Sequence, residues 1–301
     1  MVAKQLVFDD SKMPFFKMNG CGNDFVVLDG RGNGALSAAL TPELRRLIAS
    51  RGEGIGCDQL LVILDGAEGI DAVMDVYNAD GSSSLACGNG ARCIALLLGE
   101  SRIGTEIVLQ AGERQLECRI TGNGQVCVDM GIPVFSPDAI PLSLPVEDGA
   151  VLSPALFAPP MLQPADIAGA VSMGNPHCVF FFNEANALND IDLASLGPLL
   201  EYHDAFPERA NISFVHVGAD GSFHLCVWER GAGATLCCGT AACAAFALAR
   251  RHGLCARTTR AHLPGGTLEL HQRENDGHIL MGGAAVLEYE GVFDALERRV
   301  A

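Results

Sequence analysis

Two stretches of this chain nearly repeat each other: LACGNGARCIALLL from Leu85 to Leu98 and LCCGTAACAAFALA from Leu236 to Ala249. The likeness runs backwards without gaps, YNADGSSSLAC (Tyr77 to Cys87) lying against WERGAGATLCC (Trp228 to Cys238), 151 residues apart. Upstream, CGNDFVVLD around Asn23 matches MGNPHCVFF around Asn175, and QLLVIL from Gln59 matches NISFVHV from Asn211, both 152 residues apart. Four pairings in one near-constant register indicate an internal duplication. A duplicated unit decides the architecture before any single element is assigned.

Each half reads alike. Strand-like runs (FVVLD, QLLVILD, AVMDVY, EIVLQA; then CVFFF, ISFVHV, HLCVW) surround one helix-like run after the repeated cysteine. Hairpin signals at Asn123-Gly124, Asp220-Gly221 and Asp276-Gly277 predict largely antiparallel pairing. The runs ARCIALLL and TAACAAFALA are apolar nearly all round, so each helix belongs inside a core. The expected fold is α+β: two pseudo-symmetric domains, each a curved, mainly antiparallel sheet wrapped around a central helix. The Pro-rich segment from Ile132 to Gly149 is a poor helix and a good crossover. The expected domains are therefore 13–133, joined by a returning tail at 284–301, and 134–283.

Composition narrows the partners. A net charge of −16 and the absence of a basic run argue against nucleic acid and against anionic membranes. The opening MVAKQLVFDDSKMPFF has no continuous apolar stretch, so the expectation is a soluble, cytoplasmic protein. Its 12 cysteines, spread through a long chain, are expected to be reduced, and without a CxxC pair no metal site is expected. The lysines, Lys4, Lys12 and Lys17, all precede residue 18, which argues against a pyridoxal phosphate Schiff base and a P-loop. No cofactor is expected.

In both copies the cysteine is followed by small residues and then by the helix, placing Cys87 and Cys238 at helix N-termini. The positive end of a helix dipole favours a thiolate, lowering a free thiol pKa of about 8.5. One such cysteine would suggest a nucleophile or a redox centre. Two, one per half, suggest an acid/base pair working on opposite faces of one carbon, as inversion of an α-carbon requires. Cys237 is a rival for the second thiol, and the register with Cys87 selects Cys238. The other ten cysteines read as small core residues. By residue type alone, Asn23, Asn175 and Asn211 could cap helices or turn the chain, and Arg230 could pair at the surface.

KMNGCGNDFVVLD, GIGCDQLLV, YNADGSSSLACGNGARC, VSMGNPHCV, FPERANISF and VWERGAGATLCCGTAAC, in this order and spacing, closely resemble the diaminopimelate epimerases, over about Lys17 to Gly291. The resemblance implies cofactor-independent, two-base epimerisation of LL-2,6-diaminoheptanedioate to the meso isomer, serving lysine and peptidoglycan biosynthesis. It implies that Cys238 removes the proton and Cys87 returns one. His177 and Glu229 would tune the thiols; Asn23, Gln59, Asn78, Asn175, Asn211, Glu229 and Arg230 would grip the amino-acid substrate. Backbone groups of Gly88, Asn89, Gly239 and Thr240 would hold the reacting carboxylate. It also implies a homodimer.

The pattern departs from the family at Ser83 and Ala234, where an acidic residue is frequent, and at Ala241, where Gly is frequent. These leave substrate preference less constrained than reaction type. The alternatives are a racemase or epimerase of another amino acid on the same fold, and a thiol redox protein, although CxxC is absent.

Overall fold

The structure, a computed structural model, describes residues 12–84, 87–144, 146, 148, 151–153, 165, 167–294 and 299–300. Leu85 and Ala86 of the repeated phrase, residues 145, 147 and 149 of the Pro-rich segment, the opening 1–11, and residues 295–298 and 301 of the tail lie outside the described residues. The chain divides into two units, residues 1–128 with 283–301 and residues 129–282.

The first unit runs β1 (Lys12–Gly20), β2 (Asn23–Asp29), α1 (Leu36–Ala39), α2 (Pro42–Ala49), β3 (Gln59–Asp65), β4 (Ala72–Asn78), β5 (Ser83–Ser84), α3 (Gly88–Leu98), β6 (Glu106–Ala111), β7 (Arg114–Gly122) and β8 (Gln125–Asp129). Its sheet pairs β1 with β2 antiparallel, β2 with β3 parallel, β3 with β4 antiparallel, β4 with β6 parallel, then β6, β7 and β8 antiparallel. β5 folds back on the end of β4.

The second unit repeats this order as β9 (Ile167–Ser172), β10 (Pro176–Phe182), α4 (Leu193–Glu201), β11 (Asn211–Val217), β12 (Phe223–Glu229), β13 (Gly233–Thr235), α5 (Gly239–Arg251), β14 (Thr258–Leu263), β15 (Gly266–Gln272) and β16 (Ile279–Ala284). Its parallel pairings fall at the same two places, β10 on β11 and β12 on β14, and the rest are antiparallel. β17 (Val286–Asp294) then pairs antiparallel with β1 of the first unit.

The register repeats too. Phe25 lies opposite Gln59, and Gln59 opposite Asn78; in the second unit His177 lies opposite Asn211, and Ile212 opposite Trp228, which sets Asn211 against Glu229. Tyr77 meets Ser83 as Trp228 meets Ala234. The duplication is thus carried at the level of single cross-strand pairs. The three predicted hairpins form, with Gly124, Gly221 and Gly277 at φ of 67°, 79° and 78°, a region only glycine enters without penalty.

Both sheets are covered on two sides. α3 packs against β1, β2, β6 and β7, and α5 against β9, β10, β11 and β15. Both helices are buried almost end to end, Arg92 of α3 included, whose Nε donates to the Ala284 carbonyl at 3.4 Å. A second apolar layer in the first unit packs Leu36, Leu40, Ile48 and Ala49 against Val26, Leu28 and Leu60. Its counterpart in the second packs Leu196, Leu200 and Phe206 against Phe180, Ile212 and Phe214. Burial on both faces explains why the central strands read as continuous apolar runs rather than alternating ones. Of the outer helices, α2 and α4 carry conventional caps: Thr41 accepts from Leu44 N with Pro42 following, and Asp192 accepts from Ser195 N.

Eight of the ten cysteines read as core are buried; Cys127 and Cys226 are half-buried, because each sits on the opposite strand face from buried neighbours, Val126 and Val128 in β8, Leu225 and Val227 in β12. Among the described residues no helix is long and apolar enough to cross a membrane, and no three His, Cys, Asp or Glu side chains cluster to hold a metal ion.

Candidate active site

Each repeated cysteine is the N-cap of its central helix. Cys87 has φ −112° and ψ 110°, Cys238 φ −124° and ψ 114°, the extended geometry of a cap. Ser, Thr, Asp and Asn satisfy this position best, and leaving them out costs a helix about 1 kcal/mol. A chain that uses them at α2 and α4 places cysteine at both α3 and α5, where a sulfur is at best a weak cap acceptor: Cys87 caps through Sγ, and Cys238 makes no side-chain cap. Gly90 N donates to Cys87 Sγ at 3.4 Å, so the first turn of α3 already faces that sulfur with a backbone donor. A Cβ on Gly20 would lie 3.0 Å from the Asn89 carbonyl, so glycine lets β1 run against this first turn.

In the first unit two of the amides meet, and the third binds a carboxylate. Gln59 Nε2 donates to Asn78 Oδ1 at 3.1 Å, and Asn78 Nδ2 to Ser82 Oγ at 3.1 Å. Asn23 Nδ2 donates to Asp58 Oδ2 at 2.8 Å. Asp58 is in turn bound by Arg51, which also grips Asp24. Lys17 is buried there, paired with Asp24 and donating to the Gly56 carbonyl.

The second unit holds the titratable set, on positions equivalent to non-titrating ones in the first: His177 for Phe25, Glu229 for Asn78 and Arg230 for Ala79. His177 is fully buried, and its ring bonds Asn175 Oδ1 at 3.0 Å through Nε2. An amide oxygen only accepts, so Nε2 carries the proton and Nδ1 is left as a buried acceptor without a partner among the described residues. Burial, then the Arg230 cation, pushes the His177 pKa down to about 3, so the ring is neutral. Asn175 Nδ2 reaches Thr240 Oγ1 at 3.5 Å, and Thr240 Oγ1 meets Cys238 Sγ at 3.4 Å. Asn175, His177, Thr240 and Cys238 therefore form one chain of polar contacts.

Asn211 is occupied at both ends: Nδ2 donates to the Pro176 carbonyl at 2.9 Å and Oδ1 accepts from Arg230 N at 3.0 Å. Glu229 Oε1 accepts from Thr235 Oγ1 and lies beside the Cys238 thiol. Gly88 and Gly239 open the first turns of α3 and α5, next to Asn89 and Thr240.

One expectation is overturned. The helix N-terminus does not bring the Cys238 pKa below the ordinary thiol value; burial, with the Glu229 carboxylate next in weight, pushes it well above that value, outweighing the lowering by the Thr240 hydroxyl and the first-turn Ala241 amide. Desolvating a charge costs more than half a helix dipole returns. Cys238 rests as a thiol.

Two polar partners escaped sequence reasoning. Thr235 occupies the position of Ser84 in the other copy, so the repeat marked it as a hydroxyl position; Asp58 corresponds to Ala210, and the repeat carried no signal for it. The departures Ser83 and Ala234 are equivalent exposed positions on β5 and β13, while Ala241 is buried in the first turn of α5.

A sequence model of the diaminopimelate epimerase family matches residues 15–136 and 169–288. The diaminopimelate epimerase of Acidiphilium cryptum is 44% identical over 282 residues, covering 94% of this chain and 96% of that protein. The one from Zymomonas mobilis is 39% identical over 280 residues, covering 93% and 97%. Among solved structures, a predicted epimerase from Pseudomonas aeruginosa superposes with a TM-score of 0.66 at 17% identity, covering 92% of this chain and 98% of that one. A hydroxyproline epimerase from Agrobacterium vitis with bound trans-4-hydroxy-L-proline gives 0.62 at 13%, covering 94% and 92%. The two structures share the fold.

Proposed function

The chain belongs to the diaminopimelate epimerase family, and on that premise we propose that it interconverts LL-2,6-diaminoheptanedioate and the meso isomer with Cys87 and Cys238 as the two acid/base groups. It is an isomerase of lysine biosynthesis. The observation that carries the residue assignment is the paired one: a cysteine N-cap of matching backbone geometry on the central helix of each duplicated unit.

Inverting an α-carbon takes a base on one face and an acid on the other. Cys238 rests as a thiol, and the Glu229 carboxylate beside it is the acceptor that takes its proton. The Cys238 thiolate then removes the α-proton while the Cys87 thiol protonates the opposite face. The carbon ends inverted with Cys238 a thiol, Cys87 a thiolate and Glu229 protonated, and proton transfer through solvent from Glu229 to Cys87 restores the starting state. Negative charge developing at the α-carboxylate is met by the backbone N–H groups of the first turns at Gly88, Asn89, Gly239 and Thr240. His177 Nδ1 accepts from a substrate ammonium, and the Arg230 guanidinium pairs with a carboxylate. The neutral amides of Asn23, Gln59, Asn78, Asn175 and Asn211 serve the zwitterionic remainder. We read this enzyme as cytoplasmic from its opening sequence and as a homodimer from the family resemblance, the latter checked by light scattering on the purified protein.

The test is proton NMR of reduced enzyme with LL-2,6-diaminoheptanedioate in deuterium oxide. Meso product should appear with solvent deuterium at the inverted carbon. Product that keeps the substrate proton, or no product from a folded and reduced sample, rejects the two-base reading on this substrate.

A further inference from the structure

Glu201, the last residue of α4, is a carboxylate only 2% exposed that takes no part in the proton transfers. Its Oε2 accepts from the Trp228 indole Nε1 at 2.7 Å, and its Oε1 accepts from the Gly231 amide at 3.0 Å. Those two donors immediately flank Glu229 and Arg230. One buried side chain thus holds, from both ends, the turn that carries both groups.

The Arg209 guanidinium reaches Glu201 Oε1 at 3.4 Å and the Tyr202 hydroxyl at 3.2 Å, supplying the countercharge a buried carboxylate needs. Next to it, the Glu208 carbonyl accepts from Arg230 Nη1 at 3.0 Å. The contacts close a ring from α4 through the FPERAN segment to the Glu229–Arg230 turn. Of that segment only Asn211 had a role. Gly197, four residues before Glu201 and so on the same face of α4, lets the helix lie against the indole: a Cβ there would sit 2.1 Å from Trp228 Cδ2.

We infer that Glu201 is a positioning residue that sets the Glu229–Arg230 turn in its working geometry, with Arg209 as its counterion; the inference rests on the reading of Glu229 and Arg230 given above. Both carboxylate oxygens accept from fixed donors, so Glu201 neither gives nor takes a proton in the reaction. Its contribution is geometric, and misplacing a site group by about 1 Å costs on the order of 100-fold.

Trp228 is the only tryptophan in the chain, so its emission reports this contact directly. Glu201→Gln turns one acceptor into a donor facing Gly231 N or the indole. The expected result is a folded protein with shifted Trp228 emission, KM for LL-2,6-diaminoheptanedioate raised about 10-fold or more, and a displaced pH profile of kcat/KM as Glu229 moves relative to the Cys238 thiol. If Glu201→Gln does not fold, Arg209→Gln, at a more exposed position, should show the same three changes at smaller size. A variant that only melts earlier, with emission, KM and pH profile of the folded enzyme unchanged, overturns the inference. Arg230→Gln is the control: should it leave KM unaltered, the carboxylate clamp is wrong, and an unshifted pH profile in Glu201→Gln then overturns the positioning role on its own.

Discussion

Replacing Gly197 with alanine sets two effects against each other. Inside a helix the change normally stabilises by about 0.5–1 kcal/mol. Here the new Cβ falls 2.1, 2.4 and 2.6 Å from Cδ2, Cγ and Cε3 of Trp228. Carbon atoms rest at about 3.5–4.0 Å, so helix or ring must shift by about 1.5 Å. The ring is not free to swing away, because its Nε1 is bound to Glu201. Overpacking of this kind costs about 1–3 kcal/mol, and a contact this short belongs at the upper end. The net expectation is a loss of about 2 kcal/mol, or a melting temperature lower by about 4–8 °C. Since Trp228 adjoins Glu229, kcat/KM should fall as well. Calorimetry measures the first effect and the NMR epimerisation assay the second. A Gly197→Ala protein that melts at or above the parent temperature would show that α4 is not pinned to the indole, and the steric reasoning would be wrong.

Three further outcomes are expected. Glu229→Gln removes one of the two leading causes that raise the Cys238 pKa, so alkylation of Cys238 by iodoacetamide, followed by peptide mapping, should shift to lower pH; an unchanged or upward shift contradicts the carboxylate–thiol contact. His177 is depressed to about 3 in the fold against 6.5 unfolded, so the unfolded chain binds the extra proton and stability falls as pH drops from about 6.5 toward 3, by about 5 kcal/mol in all. His177→Phe, the residue of the equivalent position Phe25, should flatten the melting temperature over that window, and an equal acid slope in both proteins argues against a buried neutral ring. Cys87→Ser and Cys238→Ser should each lower kcat by about 100- to 10,000-fold while staying folded; near-normal turnover in either rules out the pair.

The duplication was legible because it is written in residue identity: Cys87 on Cys238 and Asn78 on Glu229 need no coordinates. So were the central helices, since a run with no polar face has nowhere to go but a core. Hairpins at Asn123, Asp220 and Asp276 followed from local backbone chemistry, which depends on neighbours in sequence alone. The two parallel pairings in each unit were not legible, because strands such as β2 and β3 meet only after an intervening helical layer that no local signal announces.

The thiol positions, their helix-capping geometry and their pairing by symmetry are properties of the sequence. The protonation of Cys238 is not. It depends on how completely the fold removes water from the sulfur and on a carboxylate nine residues earlier that β12 and β13 bring back beside it. The same holds for Glu201, an unremarkable acid at the end of α4 until folding sets its two oxygens against Trp228 and Gly231. Electrostatic environment and hydrogen-bond closure are set by distances between segments remote in the chain, so tertiary structure alone decided them.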